Sequence, residues 1–390
     1  MRKTRTALRF AAFAAALALT AGVPVAAQNS VYSGAGLTAQ AAIEDGPYTE
    51  GSVGDLYYIK YEDHASISGC KAGVSAVEIP DSIEGVPVTY IDDYAFDCSD
   101  VTSVSIPAGI TSIGNYAFSY CFNLKSVSLP DSIEAIGIKA FENCKSLETV
   151  EFPDHLVKVR SHAFMSTPWL EAQQKKNPLV IVNGALIDGT TYAESELVIP
   201  SEVTYIASSA FDRNTTITSV VIPASVKSVS DNTFWMCENL ESCEIRGAET
   251  IESMAFGYCE KLKDLKVSNK LKTIENYGFN ECSGNGATIT FYGSEAQWNA
   301  VEKLDTGDFL KNARVVFDEG GLPEDPDPQT VEGDVDGDGA LSAADLVALQ
   351  KWLLAVPGAT LKNNDAADMD KNDIIDIFDL GLLKRALLNK

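Results

Sequence analysis

Histidine is almost missing from this chain: His64, His155 and His162 are the whole supply in 390 residues. That leaves little for proton transfer or metal binding through imidazole. Positive charge is short as well, with 30 Lys and Arg against 55 Asp and Glu, a formal net charge of −25. Such a deficit excludes a nucleic-acid binder, because phosphates demand a basic footprint. Apart from the N-terminus, no apolar run approaches the ~18 residues of a membrane-spanning helix. No nucleophile motif stands out, and paired carboxylates occur only in two acidic loops near the C-terminus. His155 and His162 stand where the preceding repeat has Ser132 and Lys139, and are read as solvent-facing. No catalytic residue is expected.

Residues 1–27 read as a signal peptide: Arg2, Lys3 and Arg5 form a basic head, Phe10 to Val23 an apolar core, and Val25-Ala26-Ala27 a small-residue cleavage pattern. Export is therefore expected. Removing Arg2, Lys3, Arg5 and Arg9 takes the charge from −25 to −25 − 4 = −29. Residues 28–44 read as a flexible segment.

Most of the remainder repeats. Ala-Phe recurs at Phe96, Phe118, Phe141, Phe164, Phe211 and Phe256, with Thr-Phe at Phe234 and Gly-Phe at Phe279; the gaps are 22, 23, 23, 47, 23, 22 and 23. An apolar-Pro dyad keeps the same beat at Pro80, Pro107, Pro130, Pro153, Pro200 and Pro223. One unit reads as an alternating strand, a turn at Pro, a second short strand and one helical turn. Self-similarity at this period implies a solenoid, in which each repeat buries its apolar face against its neighbours. Its span is read as 45–317. The long gap of 47 marks an insertion at 165–196, where Asn183-Gly184 between apolar runs predicts a hairpin. Residues 288–317, with Ala296-Gln297-Trp298-Asn299 and Val315-Val316-Phe317, read as a capping helix and strand. Ser103, Ser105, Ser126, Ser128, Thr149, Glu151, Ser219, Val221, Ser242, Glu244, Asp264 and Lys266 alternate with buried positions and are expected to line one concave sheet. That face lacks aromatic platforms, which favours a protein ligand over a glycan.

Eight cysteines in an exported chain would ordinarily suggest disulfides. Cys121, Cys144, Cys237, Cys259 and Cys282, however, each follow a repeat Phe by three residues, and Cys98 follows by two. That spacing describes a ladder of small buried side chains, one per coil.

After an acidic Pro-rich linker at 318–332 come two loops in register, starting at Asp334 and, 34 residues later, at Asp368. Side-chain oxygens fall at loop positions 1, 3, 5, 9 and 12: Asp334, Asp336, Asp338, Ser342 and Asp345, then Asp368, Asp370, Asn372, Asp376 and Asp379. With backbone carbonyls of Ala340 and Ile374 at position 7, this is calcium-loop spacing. Gly339 gives the first loop its sharp turn, whereas Asp373 stands there in the second, so the second site is expected to be weaker. Each loop runs into an apolar helix, with stripes Leu346/Leu349/Leu353 and Leu380/Leu383/Leu387 expected to pack together.

Two resemblances follow. The repeat unit, with its Ile-Pro, Ile-Gly and Ala-Phe…Cys marks in phase, resembles the BspA-type leucine-rich repeat. Residues 333–390, a duplicated loop-then-helix unit with Asp at position 12, resemble a type I dockerin. Together they imply an α+β chain: a leucine-rich-repeat solenoid followed by a small all-α calcium-binding module. The dockerin resemblance further implies two calcium ions, a cohesin partner on a scaffoldin, and an anaerobic setting in which thiols stay free. It places cohesin contacts at Ala343, Ala344, Gln350 and Lys351 in one half and at Ile377, Phe378, Lys384 and Arg385 in the other. A small pair facing a bulky pair implies a single binding orientation with Ile377 and Phe378 as the anchor, unless Phe378 packs inside the module. The leading expectation is a non-catalytic, secreted component of a polysaccharide-degrading complex whose array binds protein or polysaccharide. The alternatives are a cell-surface adhesin, or an enzyme or inhibitor delivered to the complex.

Overall fold

The computed structural model describes residues 48–305, 307–322, 333–336, 341–356, 359–361, 363–370, 372 and 374–388. The expected leader at 1–27 and the segment 28–44 lie outside the described residues, as does most of the linker.

Each repeat contributes two short strands because its Pro, lacking an N–H, ends the first strand and turns the chain. The coil holding Phe141 is typical, with strand Ser126–Ser128, then Leu129-Pro130, then strand Ala135–Ile136. Val127 and Ile136 are buried, while Ser126 and Ser128 are exposed. First strands pair in parallel from coil to coil: Ala76–Glu78 with Ser103–Ser105, and Ser126–Ser128 with Thr149–Glu151. Further on, Glu196–Val198, Ser219–Ile222, Ser242–Ile245, Asp264–Ser268, Thr288–Tyr292 and Arg314–Phe317 make one six-stranded sheet. Second strands stack likewise, from Val86–Ile91 through Ser112–Ile113 and Ala135–Ile136 to Lys158–Val159. The result is a β-solenoid.

An antiparallel meander opens the array. Strands Thr49–Val53, Leu56–Lys60 and Ala65–Cys70 pair in sequence, and the last pairs in parallel with Val86–Ile91. The meander's strands carry none of the marks of the repeat. At the other end, Phe309 on the short helix Asp308–Asn312 stacks on Phe279 at 4.7 Å. Strand Arg314–Phe317 closes the sheet beside Thr288–Tyr292.

The segment read as a helical turn takes the form of two tight turns around each Phe. In all eight coils the residues two before and two after the Phe have positive φ: Tyr116 and Tyr120 around Phe118, Asn232 and Met236 around Phe234. Non-glycine residues tolerate this conformation only where the surroundings enforce it. Here the enforcement is a hydrogen-bond ladder between coils. The N–H groups of Tyr116, Phe118 and Tyr120 donate to the carbonyls of Ile138, Ala140 and Glu142 in the next coil, at 2.7–2.8 Å.

The phenylalanines form a buried column. Phe96, Phe118, Phe141 and Phe164 stack with near-parallel rings 4.9–5.3 Å apart, and Phe211, Phe234, Phe256 and Phe279 repeat the arrangement at 5.1–5.4 Å. Each ring buried in this way stabilises by roughly 1.5–3 kcal/mol. Beside it runs the cysteine ladder. Cys121, Cys144, Cys237, Cys259 and Cys282 each donate their thiol to the carbonyl of a Phe in the coil before, at 3.0–3.2 Å. All eight cysteines are free. Burial pushes the Cys121 thiol up to about 11 and the Cys237 thiol up to about 12, so these are structural donors, not nucleophiles.

The column breaks once, between Phe164 and Phe211. There the chain forms helix Pro168–Lys176, capped by Thr167 with Pro at its start, which turns Trp169 inward to lie 4.8 Å from Phe164. A hairpin follows, Val180–Val182 against Ala185–Asp188, turning at Asn183 and Gly184 with φ of 49° and 79°. Its second strand pairs in parallel with Tyr205–Ile206, so the stack continues. Gly189 takes the place of the missing Phe. Its N–H donates to the Ala210 carbonyl, as Phe96 donates to Ala117, and a Cβ there would lie 2.2 Å from the Phe211 ring.

In the C-terminal module, helices Ala343–Leu353 and Ile377–Leu388 enclose a small core of Val335, Leu349, Ala367 and Leu383. Leu346, Leu353 and Leu380 pack against it.

Candidate metal centre and docking surfaces

Both acidic loops are built the same way. Asp345, fully buried on the first helix, accepts the N–H groups of Val335 and Asp336 on Oδ1 and of Ser342 on Oδ2, at 2.7–3.0 Å. Asp379 does the same in the second loop, accepting from Met369 and Asp370 on Oδ1 and from Asp376 on Oδ2, at 2.8–3.2 Å. The position-12 carboxylate therefore staples the start of its loop to the start of its helix. Around each staple, carboxylate oxygens converge within 4.8 Å: Asp334, Asp336 and Asp345 in one cluster, Asp368, Asp370 and Asp379 in the other. Three carboxylates so close repel one another unless a cation or protons intervene.

The two halves differ at the rim. Asp336 is half-buried and Asp370 is exposed. The neighbouring Asp379 and Asp368 carboxylates act with local desolvation, the largest cause, to raise Asp370 above the ordinary carboxylate range. The position-9 side chains also serve as helix caps, since Ser342 Oγ accepts the N–H of Ala344 and Asp376 Oδ1 that of Phe378. Asn372 is exposed and accepts the N–H of Ile374, the position-7 residue, on its side-chain oxygen. Asp338 and Ala340 lie outside the described residues.

The residues expected to meet a partner are all exposed: Ala343, Ala344, Gln350 and Lys351 in one half, Ile377, Phe378, Lys384 and Arg385 in the other. Ile377 and Phe378 stand 66% and 70% exposed, with Ile374 beside them at 62%. Phe378 does not pack into its own module.

On the array, Ser103, Ser105, Ser126, Ser128, Thr149 and Glu151 are exposed. Ser219, Val221, Ser242, Glu244, Asp264 and Lys266 surround a shallow depression of about 170 Å3, with Arg246 reaching Glu244 at 2.7 Å. The expected single sheet is a correction to make. The first strands fall into three sheets: Ala76–Glu78 with Ser103–Ser105, Ser126–Ser128 with Thr149–Glu151, and the six-stranded sheet after the insertion, ahead of which helix Pro168–Lys176 stands where the neighbouring coils have a strand.

His162 is a second correction. It is not simply solvent-facing: its side chain is 22% exposed, Nε2 lies 3.3 Å from Asp212 Oδ2, and Nδ1 lies 2.7 Å from Ser161 Oγ. Its partner is 50 residues away (212 − 162), two coils on, which no single-period reading would pair. His155 is exposed, with Nε2 2.9 Å from the Ile133 carbonyl. Among the described residues no helix is long and apolar enough to cross a membrane.

Comparison with known proteins agrees with this architecture. A family described as "BspA type Leucine rich repeat region (6 copies)" matches residues 65–182 and 190–299, and one described as "Dockerin type I domain" matches 332–388. No curated protein matches the chain. Among solved structures, the Treponema pallidum leucine-rich repeat protein is similar at 25% identity over 55% of this chain and 87% of that one, with a TM-score of 0.30. A leucine-rich cell surface protein from Faecalibacterium prausnitzii is similar at 21% identity over 67% and 99%, with a TM-score of 0.28. The pneumococcal vaccine antigen PcpA is similar at 15% identity over 70% and 100%, with a TM-score of 0.30. The repeats cover more than half of the sequence, and the chain belongs to the BspA-type leucine-rich repeat family, with a type I dockerin domain at its C-terminus.

Proposed function

We propose that the chain is a non-catalytic, exported docking component. Its C-terminal module holds calcium in two loops and plugs into a cohesin on a scaffoldin, while the repeat array offers a surface to a further ligand. The observation that carries this reading is the pair of stapled carboxylate clusters, each with a fully buried Asp at its centre. All-oxygen, flexible ligand sets suit calcium better than softer metals. Asp334, Asp336 and Asp345 would hold the first ion, with Asp338, Ser342 and the Ala340 carbonyl completing it. Asp368, Asp370 and Asp379, with Asn372, Asp376 and the Ile374 carbonyl, would hold the second more weakly, since Asp370 is exposed. Bound calcium supplies the positive charge that lets the carboxylates converge; binding free energy then adds directly to the module's stability.

Ile377 and Phe378 are read as the apolar anchor for cohesin, flanked by Lys384 and Arg385. The array, extended and strand-faced, is read as the surface for a protein or polysaccharide of the same complex. The test is capture of the full chain on an immobilised scaffoldin cohesin. Retention in calcium that is lost on EDTA treatment, and lost again when residues 333–390 are deleted, is the expected result; retention without them would contradict the reading.

A further inference from the structure

The break in the phenylalanine column creates a site that the docking reading does not use. In the regular array, polar side chains reach partners 21–26 residues away, one coil distant. At the break, Ser161 Oγ donates to Ser209 Oγ at 2.8 Å, His162 lies 3.3 Å from Asp212, and Tyr205 Oη donates to the Val159 carbonyl at 3.1 Å. These contacts skip a whole coil. The inserted coil carries Gly189 in the Phe slot, and the turns on either side of it meet directly. Between them is a cavity of about 320 Å3 to which the inserted hairpin contributes no lining residue. That volume is at the small end of ligand pockets, which run from ~300 to ~1,000 Å3.

The lining says what would fill it. Asp212 lines the cavity with a side chain only 8% exposed, and its Oδ1 makes no hydrogen bond, with Arg213 Nε 3.9 Å away. A buried carboxylate oxygen without a hydrogen bond costs free energy, which a ligand donor would recover. Ser209 and Asn232 add hydroxyl and amide groups; Met165 and Trp235 supply the apolar wall. The two cations at the rim are already engaged. Lys139 Nζ is 3.0 Å from the buried Glu142 carboxylate, and the Arg213 guanidinium lies 4.8 Å over the Trp235 ring. An anionic ligand would meet the Asp212 carboxylate, and a cationic one would meet Lys139 and Arg213. What fits is neutral, rich in hydroxyl donors, small, and apolar on one side.

We propose that this cavity binds one neutral sugar unit of a glycan. A hydroxyl donates to Asp212 Oδ1, Ser209 and Asn232 engage further hydroxyls, and the C–H face of the ring packs on Met165 and Trp235. The glycan contact of this array is then on its turn edge, not on the strand face.

Isothermal titration of the full chain with cello-, xylo- and manno-oligosaccharides, and with oligogalacturonide as the acidic control, tests this. Binding of at least one neutral oligosaccharide at millimolar concentrations or below is expected, with none for the acidic one. Asp212→Asn, which keeps the shape but replaces the acceptor, should weaken binding by about tenfold or more, the usual worth of a hydrogen bond to a charged group. Trp235→Ala should weaken it comparably, and Lys263→Ala, an exposed side chain elsewhere on the array, should leave it unchanged. Each variant's melting temperature, compared with wild type, separates a lost contact from a lost fold. No binding by any neutral oligosaccharide, binding untouched by Asp212→Asn in a folded variant, or preference for the acidic oligomer would each overturn the proposal. The result is independent of cohesin capture, which uses the other end of the chain.

Discussion

Asp92 shows how single residues set the chemistry of the array. Its carboxyl sits beside the coil turn, accepts from Ser66 Oγ at 2.8 Å, and is pushed up to about 6 by burial. Since the folded value lies above the ordinary one of 3.8, the protonated form is favoured by folding. The stability this contributes is fully present below about pH 4 and is lost as pH rises through about 6. Burial likewise raises Glu252 and Glu275, which stack along the same edge in later coils, so they act in the same direction. Asp92→Asn should therefore raise stability at pH 8 by about 2 kcal/mol, from roughly two pKa units at 1.36 kcal/mol each less the weakened Ser66 bond. At pH 4 it should change little. Thermal melts of the variant and wild type across pH 4–8 check this, and an equal effect at both ends would refute it. None of this was legible in the sequence, where Asp92 is one acid among 55 Asp and Glu. Nor were the left-handed positions around each Phe, because they carry Tyr, Cys, Lys, Asn, His, Ser, Arg, Met and Glu in place of the glycine that usually marks them.

At the scale of elements, recurring signals were readable and single-copy ones were not. Ile-Pro, Ala-Phe and the third-following Cys each occur in several coils, so the repeat strands and the column could be placed by phase alone. Asn183-Gly184 marked its own turn. Helix Pro168–Lys176 was missed although Thr167, Pro168 and Glu171 are an ordinary helix start, because nine residues inside a repeat read first as a loop. That helix matters, since its Trp169 is buried against Phe164 and Phe152 at the end of the first phenylalanine column. Trp169→Ala should cost about 3–5 kcal/mol through the void it leaves. Denaturant unfolding, followed by hydrogen exchange at the flanking coils, should show the loss concentrated around Phe164 and Phe211; a loss spread evenly over the array would contradict it.

The acidic loops carry a similar lesson, because spacing named the carboxylates but not their division of labour. Asp345 both staples the loop and faces the cluster, whereas Asp336 reaches the cluster from the half-buried rim. Asp345→Ala should lower the module's melting temperature with EDTA present as well as with calcium, and Asp336→Ala chiefly with calcium. Circular dichroism melts of the full chain in both conditions measure it. Identical behaviour of the two variants would remove the staple as a separate role.

At the scale of the whole molecule, the chain joins a repeat array to a C-terminal dockerin domain. The array is held by stacked coils with two large buried clusters, and among the described residues the C-terminal module's core is a few buried side chains. A module that small relies on an ion or another staple, which is why its docking is expected to follow calcium while the array's integrity does not. The pinch between the array's halves could not be foreseen from the period, because it arises from coils that a regular repeat would keep apart.

The most direct measurement is calorimetric titration of a type I cohesin into the full chain, with calcium and with EDTA, for wild type, Ile377→Ala/Phe378→Ala and Ala343→Ser/Ala344→Ser. The exposed apolar pair should dominate, so its double variant should lose about a hundredfold in affinity, corresponding to about 1.4 kcal/mol or more per buried anchor. The alanine-to-serine variant should lose little, and EDTA should abolish binding throughout. Binding that survives EDTA, or equal losses from the two halves, would contradict a calcium-dependent plug with a single apolar anchor.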